Sequence, residues 1–182
     1  MASKIMGNTY IALLRGINVS GQKKIKMAEL KVVLEDTGLK NVKTYIQSGN
    51  IVFESEEPDR EKLQAVITDA IHQRFGFDVP TLVVKKEDVK AILEANPFAS
   101  ESEENKLYYV LLKNPPEKAS ARQLKDLHFE NEEYHITDTC VYLLCKKGYG
   151  KAKLNNNLIE RKLKVEATTR NQKTMEKLLE MT

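Results

Sequence analysis

At 182 residues, with 41% hydrophobic and 30% charged side chains, the chain has the composition of an ordinary soluble globular protein of one compact domain or two small ones. Its apolar runs reach only six or seven residues and no signal-peptide pattern opens it, so a cytoplasmic, non-membrane protein is expected. Twenty-nine basic against 26 acidic residues leave a net charge of +3, too mild to assign a nucleic-acid partner from charge alone.

After a short leader, Met1 to Gly7, Thr9 to Leu14 reads as a buried strand. Met27 to Leu39 keeps helical spacing at Met27, Leu30, Val33 and Leu34, with Gly38 as its stop. Val42 to Gln47 and Ile51 to Ser55 are short strands around the tight-turn signal Ser48-Gly49-Asn50. Pro58 and Asp59 open a helix over Arg60 to Phe75. Val79 to Val84 is then a strand, and Lys86 to Asn96 a helix that Pro97 ends.

The same order returns after a small acidic linker, Ala99 to Asn105. Leu107 to Leu112 is a strand and Ala119 to Leu127 a helix. Tyr134 to Thr137 and Cys140 to Leu144 form a hairpin. Leu154 to Leu163 is a helix, Lys164 to Thr168 a strand and Gln172 to Met181 a last helix, with Thr169 and Gln172 as a capping box. YIALLRG answers YYVLLKN, YIQSGNIVF answers HITDTCVYL, and LVVKKEDVKAILEAN answers EATTRNQKTMEKLLE. The expectation is an α+β protein of duplicated ferredoxin-like units (split βαβ, βαββαβ plus one helix) with antiparallel sheets. The halves are 1–99 and 105–182, separate or packed as one compact unit.

In a split βαβ unit the loop after the first strand and the hairpin joining the second and third lie at one end of the sheet. That places Arg15, Gly16 and Asn18 beside Gln47, Ser48, Gly49 and Asn50. Arg15 can fork onto a carboxylate or phosphate, and the glycines allow close backbone approach. Turn chemistry is the simpler reading for the asparagines. The matching places in the second half, Lys113-Asn114 and Thr137-Asp138-Thr139, carry related but weaker chemistry. The stretch LLRGINVSGQKKIKM is not a phosphate-binding P-loop, because Gln22 stands where lysine is needed and no hydroxyl residue follows. Gly148-Tyr149-Gly150 holds only the first half of a dinucleotide fingerprint.

From Lys146 to Lys164 seven basic residues face one acid, Glu160, and Lys146, Lys147, Lys151, Lys153, Arg161 and Lys162 with the stacking ring of Tyr149 suit a nucleic-acid backbone. Aromatics on the central strands (Tyr10, Phe53, Tyr108, Tyr109 and Tyr142) could stack bases, although such positions are more often core. Cys140 and Cys145 point to opposite faces of one strand and fit neither a metal pair nor a disulfide. No metal or cofactor is expected. With no nucleophile–base pair or telling carboxylate pair, the sequence leans away from an enzyme. The leading function is binding of a small anionic or phosphorylated ligand at Arg15–Asn18 and Gln47–Asn50. Nucleic-acid binding through Lys146–Lys164 and a protein-interaction module using an exposed sheet face are the alternatives. A monomer or weak homodimer is expected.

The strings TYIALLRGINVSGQKKIKMAEL, LKNVKTYIQSGNIVFES and EATTRNQKTMEKL resemble a bacterial family catalogued as domain of unknown function 1697, over nearly the whole chain. The resemblance implies a duplicated ferredoxin-like α+β fold and no established activity or cofactor. To the loop residues above it adds Thr169, Arg170 and Asn171, where this chain has Gln172 in place of the aromatic that usually follows.

Overall fold

The computed structural model describes residues 7–100 and 103–182; the leader Met1 to Met6 and Glu101 of the acidic linker lie outside the described residues. The chain divides into two compact units, Met1–Lys90 with Leu178–Thr182, and Ala91–Lys177.

In the first unit β1 (Asn8–Leu14), β2 (Lys40–Tyr45), β3 (Asn50–Ser55) and β4 (Thr81–Lys85) form an antiparallel sheet in the order β2-β3-β1-β4. β3 thus lies between β1 and β2, which is the split βαβ arrangement. Helices α1 (Met27–Asp36) and α2 (Arg60–Phe75) follow from local chemistry. The Asp59 carboxylate accepts from the Glu61 and Lys62 amides at the start of α2, and left-handed Gly76 closes its end by donating its amide hydrogen to His72 O. Alternation then sorts the side chains. Tyr10, Ala12, Leu14, Ile51 and Phe53 join Leu30, Leu34, Leu63 and Ile67 of the helices in one core. Helix α3 (Lys86–Glu94) follows β4 without a break, and Asp88 of its first turn reaches back to the Lys85 amide at 3.0 Å.

The second unit repeats this plan. β5 (Leu107–Leu112), β6 (Glu132–Ile136), β7 (Cys140–Cys145) and β8 (Ala167–Asn171) are ordered β6-β7-β5-β8, with helices α4 (Lys118–Lys125) and α5 (Asn156–Leu163), and β8 leads into α6 (Gln172–Glu180). Even the register repeats. Tyr10 faces Phe53 and Lys85 across β1, while Tyr108 faces Leu143 and Asn171 across β5. The matched strings YIALLRG and YYVLLKN, YIQSGNIVF and HITDTCVYL bring Tyr10 and Tyr108, Phe53 and Leu143 together, but LVVKKEDVKAILEAN against EATTRNQKTMEKLLE sets Lys85 against Thr169, two residues out of step with the observed equivalence of Lys85 and Asn171. A one-residue slip would invert every side chain, so equal registers are a demanding agreement with an internal duplication.

Several expected boundaries move by two or three residues, and two of the shifts bear on the site residues. β2 ends at Tyr45 because Ile46 takes a left-handed φ of 47° and turns the chain before Gln47. β8 begins at Ala167 because Lys164 is the left-handed cap of α5, with φ 57°. The shift draws Thr169, Arg170 and Asn171 into the strand, so Thr169 does not cap α6. Asn171 does, its Oδ1 accepting the Thr174 amide at 2.9 Å.

The central strands of both sheets are buried on both faces. Ile11, Leu13 and Val52 on the second face of the first sheet are as enclosed as the helix-facing side chains, and so are Tyr109, Leu111 and Tyr142 in the other. Among the described residues, exposed positions on these faces lie on the edge strands, at Lys43 of β2 and at Glu133 and His135 of β6. Tyr10, Phe53, Tyr109 and Tyr142 are core residues, with Tyr10 stacked on Phe53 at 5.7 Å, and none offers a platform for bases. Cys140 and Cys145 are both buried free thiols.

Burial pushes the Cys145 thiol and the Tyr109 phenol each up to about 12, and shifts Cys140 and Tyr142 in the same direction. These groups stay neutral in the fold but ionise earlier in the unfolded chain, near 8.5 for a thiol and near 10 for a phenol. Their contribution to stability is therefore complete below about pH 8.5 and falls as pH rises toward 12. Urea midpoints measured from pH 7 to 11 should decrease, and both native thiols should resist a thiol reagent at pH 8. Labelling at the unfolded rate at pH 8 would contradict this burial.

Candidate functional site

The first sheet ends in two loops fastened to each other. The Leu14 amide donates to Gly49 O at 2.8 Å, and the Arg15 amide to Pro80 O at 3.0 Å. Asn18 then clamps the long β1–α1 loop. Its Nδ2 donates to Gln47 O at 2.9 Å and Ile25 O at 3.0 Å, while its Oδ1 accepts the Ile25 amide at 2.8 Å. The hairpin is held from within by Asn50, fully buried, whose Nδ2 donates to Tyr45 O at 3.0 Å and Ser48 Oγ at 2.8 Å. Both asparagine carboxamides are thus structural, the simpler of the two readings for these residues.

Gly49 is what lets the loops close. A Cβ there would stand 2.6 Å from Leu14 Cβ and 2.9 Å from Ile17 Cδ1, and its φ is +87°. Gly16, by contrast, needs glycine only for its φ of +75°, since a Cβ would meet open space. What remains at the surface is half-buried Arg15 and Ser48, with Gly16 and Gln47 exposed. From Arg15 to Lys26 the loop carries four basic residues and no acid. One of them, Lys23, donates to Asp78 O at 2.6 Å. The seven loop residues singled out from the sequence are therefore together at one end of one sheet, some as scaffold and some as surface.

The equivalent end of the second unit closes with the same backbone bonds. Leu112 N donates to Thr139 O, and Lys113 N to Glu166 O, each at 2.9 Å. Its chemistry differs, because the Lys113 ammonium is paired with Glu166 at 2.9 Å. The loop is also shorter: five residues separate β5 from α4, where twelve separate β1 from α1.

Thr169, Arg170 and Asn171 lie on β8, toward the end of their own sheet opposite the β6–β7 hairpin. The Thr169 hydroxyl donates to Asn156 Oδ1 at 2.8 Å, and Asn156 Nδ2 donates to Ala167 O at 3.1 Å, tying α5 to β8. Arg170 is buried on the face it shares with Tyr109, and its Nη1 donates to Thr169 O at 2.9 Å. Burial lowers its pKa to about 10, which still leaves the guanidinium charged at neutral pH. Next to it, Gln172 accepts a short bond from the Tyr109 hydroxyl, which in turn accepts from Asn96 Nδ2 at 2.8 Å. Half-buried Gln172 is thus the outer end of a polar chain that runs through Tyr109 to Asn96.

In the basic stretch Lys146 pairs with Glu133 at 2.9 Å, and Lys162 is half-buried. Lys147, Lys151, Lys153 and Arg161 are exposed. Tyr149 is already stacked on Tyr108 at 4.9 Å, and its hydroxyl accepts the Asn156 amide at 2.9 Å. Its ring is committed inside the unit. Among the described residues no group of three or more His, Cys, Asp or Glu could hold a metal, and no helix is long and apolar enough to cross a membrane.

Sequence reasoning did not identify Ile17, Ile25 and Pro80 as the scaffold of the first site, nor Asn156 as the partner of Thr169. The unequal loop lengths between matched strands were the available signal for a difference between the two ends.

A family model described as "Protein of unknown function (DUF1697)" matches residues 7–142. Among solved structures, a conserved bacterial protein from Streptococcus pneumoniae is similar over 96% of this chain and 98% of its own, with a TM-score of 0.74 and 24% sequence identity, a likeness of fold. No curated protein matches the chain.

Gly49→Ala should cost on the order of 3 kcal/mol, combining overpacking against Leu14 with left-handed strain. Gly76→Ala, where nothing stands within 4 Å, should cost only about 1 kcal/mol for its φ of +80°. Asn18→Ala should fall between, about 2 kcal/mol, for the hydrogen bonds it releases. Denaturant unfolding of the three variants checks the order, and equal losses at the two glycines would show that Gly49 is not the closure point.

Proposed function

The chain belongs to the DUF1697 family, and we propose from the geometry of its loops that it binds a small anionic or phosphorylated ligand at Arg15–Asn18 and Gln47–Asn50. One observation carries this reading: left-handed backbone is concentrated in the two loops that bear these residues, Arg15 to Lys26 and Ile46 to Gly49. Gly16, Asn18, Ser20, Gly21, Lys23, Ile46 and Gly49 all have positive φ, seven of the twelve such residues among those described. Four of the seven are not glycine, and Ile46 is a β-branched residue at φ 47° that is also 49% exposed. Strain of this kind persists where the surroundings enforce it, and it gathers at binding sites.

Charge supports the same reading. Arg15 sits at a strand end, in a segment with no acid as far as Glu29. A fork-shaped guanidinium beside backbone amides in left-handed turns is suited to phosphate or carboxylate oxygens. The reading assigns no acid, base or nucleophile, so it is a binding function.

A thermal-shift screen of phosphorylated and carboxylate metabolites should give at least one ligand that raises Tm in a concentration-dependent way. Arg15→Ala should lose most of that shift while keeping its own unliganded Tm within a few degrees. If every stabilising ligand works equally well on Arg15→Ala, the anion is held elsewhere and this reading fails.

A further inference from the structure

We propose a second anion site, in the second unit, in the groove between helix α4 and the β6–β7 hairpin, selective for a compact phosphate-type group. The groove encloses about 210 Å³, and its lining includes Lys118, Arg122 and Lys125 from the helix and Ile136, Thr137 and Asp138 from the hairpin. Spacings of four and three residues set the three cations on one helical face, about 10 Å from first to last. Asp138 is the single acid among the lining residues, so the net charge of the groove is positive.

The groove follows from the loop lengths. In the first unit the twelve-residue β1–α1 loop reaches the hairpin, where Asn18 bonds to Gln47 O. In the second unit only five residues join β5 to α4, and the hairpin residue matched to Gln47 is Thr137, which lines the groove. The space that the first unit fills with its own chain is open in the second.

The cations around it are unspent. Among the described residues, Lys106, Lys113 and Lys146 of this unit are each paired with a glutamate, at 3.4, 2.9 and 2.9 Å. The side chains of Lys118, Arg122 and Lys125 have neither ion pair nor hydrogen bond there. Like charges four apart on a helix repel. An anion between them removes that repulsion and takes the Arg122 fork and two ammonium groups as donors. The volume is below that of pockets that bury a drug-sized ligand and suits one or two phosphate groups, free or borne by a small molecule.

Titration of the ¹⁵N-labelled full chain with inorganic pyrophosphate tests this, at fixed ionic strength. Amides of residues 118–125 and 136–139 should shift saturably, and the double variant Arg122→Glu/Lys125→Glu should weaken binding at least tenfold. Lys146→Glu, whose partner is Glu133, should leave the affinity within twofold. Arg15→Ala should leave these shifts intact, which separates this site from the one proposed above. Non-saturating shifts, shifts spread over all lysine-bearing segments, or an affinity unchanged in the double variant would each overturn the proposal. So would a short oligothymidylate that outcompetes pyrophosphate at the same amides, because the groove would then read a nucleic-acid backbone.

Discussion

The first unit is organised by one close approach, the packing of Leu14 and Ile17 against the bare Cα of Gly49. It permits the Leu14–Gly49 backbone bond that continues the β1–β3 ladder past its last paired residues, Leu13 and Asn50. With that bond made, Asn50 is buried in the hairpin and Asn18 comes within reach of Gln47 O. Gly49 thus lets the hairpin seat against Ile17, which with Ile25 anchors the longer loop in the core.

The second unit shows which parts of that arrangement the fold requires. Its matching residue is Thr139, not glycine, yet the equivalent backbone bond from Leu112 is made at 2.9 Å. No residue of its hairpin turn, Thr137 to Thr139, has a positive φ, and none in Lys113 to Glu117 does. The same sheet order and register are reached with plain turns. The sheet is therefore indifferent to the left-handed loop chemistry of the first unit.

Much of this was legible in the sequence. Period-two alternation and the hairpin signal at Ser48-Gly49-Asn50 give the strands, and the matched strings give the duplication and the register of the first three strands, while the match over β4 and β8 is two residues out of step. The grouping of Arg15 with Gln47 to Asn50 follows from topology alone. Legibility failed where a residue took an unexpected backbone state. Lys164 and Ile46 are poor candidates for left-handed conformation, so the ends of β2 and the start of β8 were misplaced by it. Thr169 has the chemistry of a cap, and only the strand shift shows that Asn171 holds that place. Nor does sequence spacing tell that Tyr149 is spent on Tyr108, a contact between residues far apart along the chain.

Magnitudes bear on why the first unit keeps its longer loop. Closing twelve residues rather than five costs under about 1 kcal/mol more in chain entropy, which is minor. The loop's three non-glycine left-handed residues, Asn18, Ser20 and Lys23, cost more, together about 3 kcal/mol at roughly 1 kcal/mol apiece. The hydrogen bonds of Asn18 offset most of this. Ile17 and Ile25 of the longer loop are also buried in the core, at roughly 1.5 to 3 kcal/mol apiece, so the loop stabilises the unit while it fixes Arg15, Gly16 and Gln47 at the sheet end. On the proposed binding reading, the left-handed turns that the second unit does without present preorganised amides beside a guanidinium, whose ordering cost is met by folding before a ligand arrives.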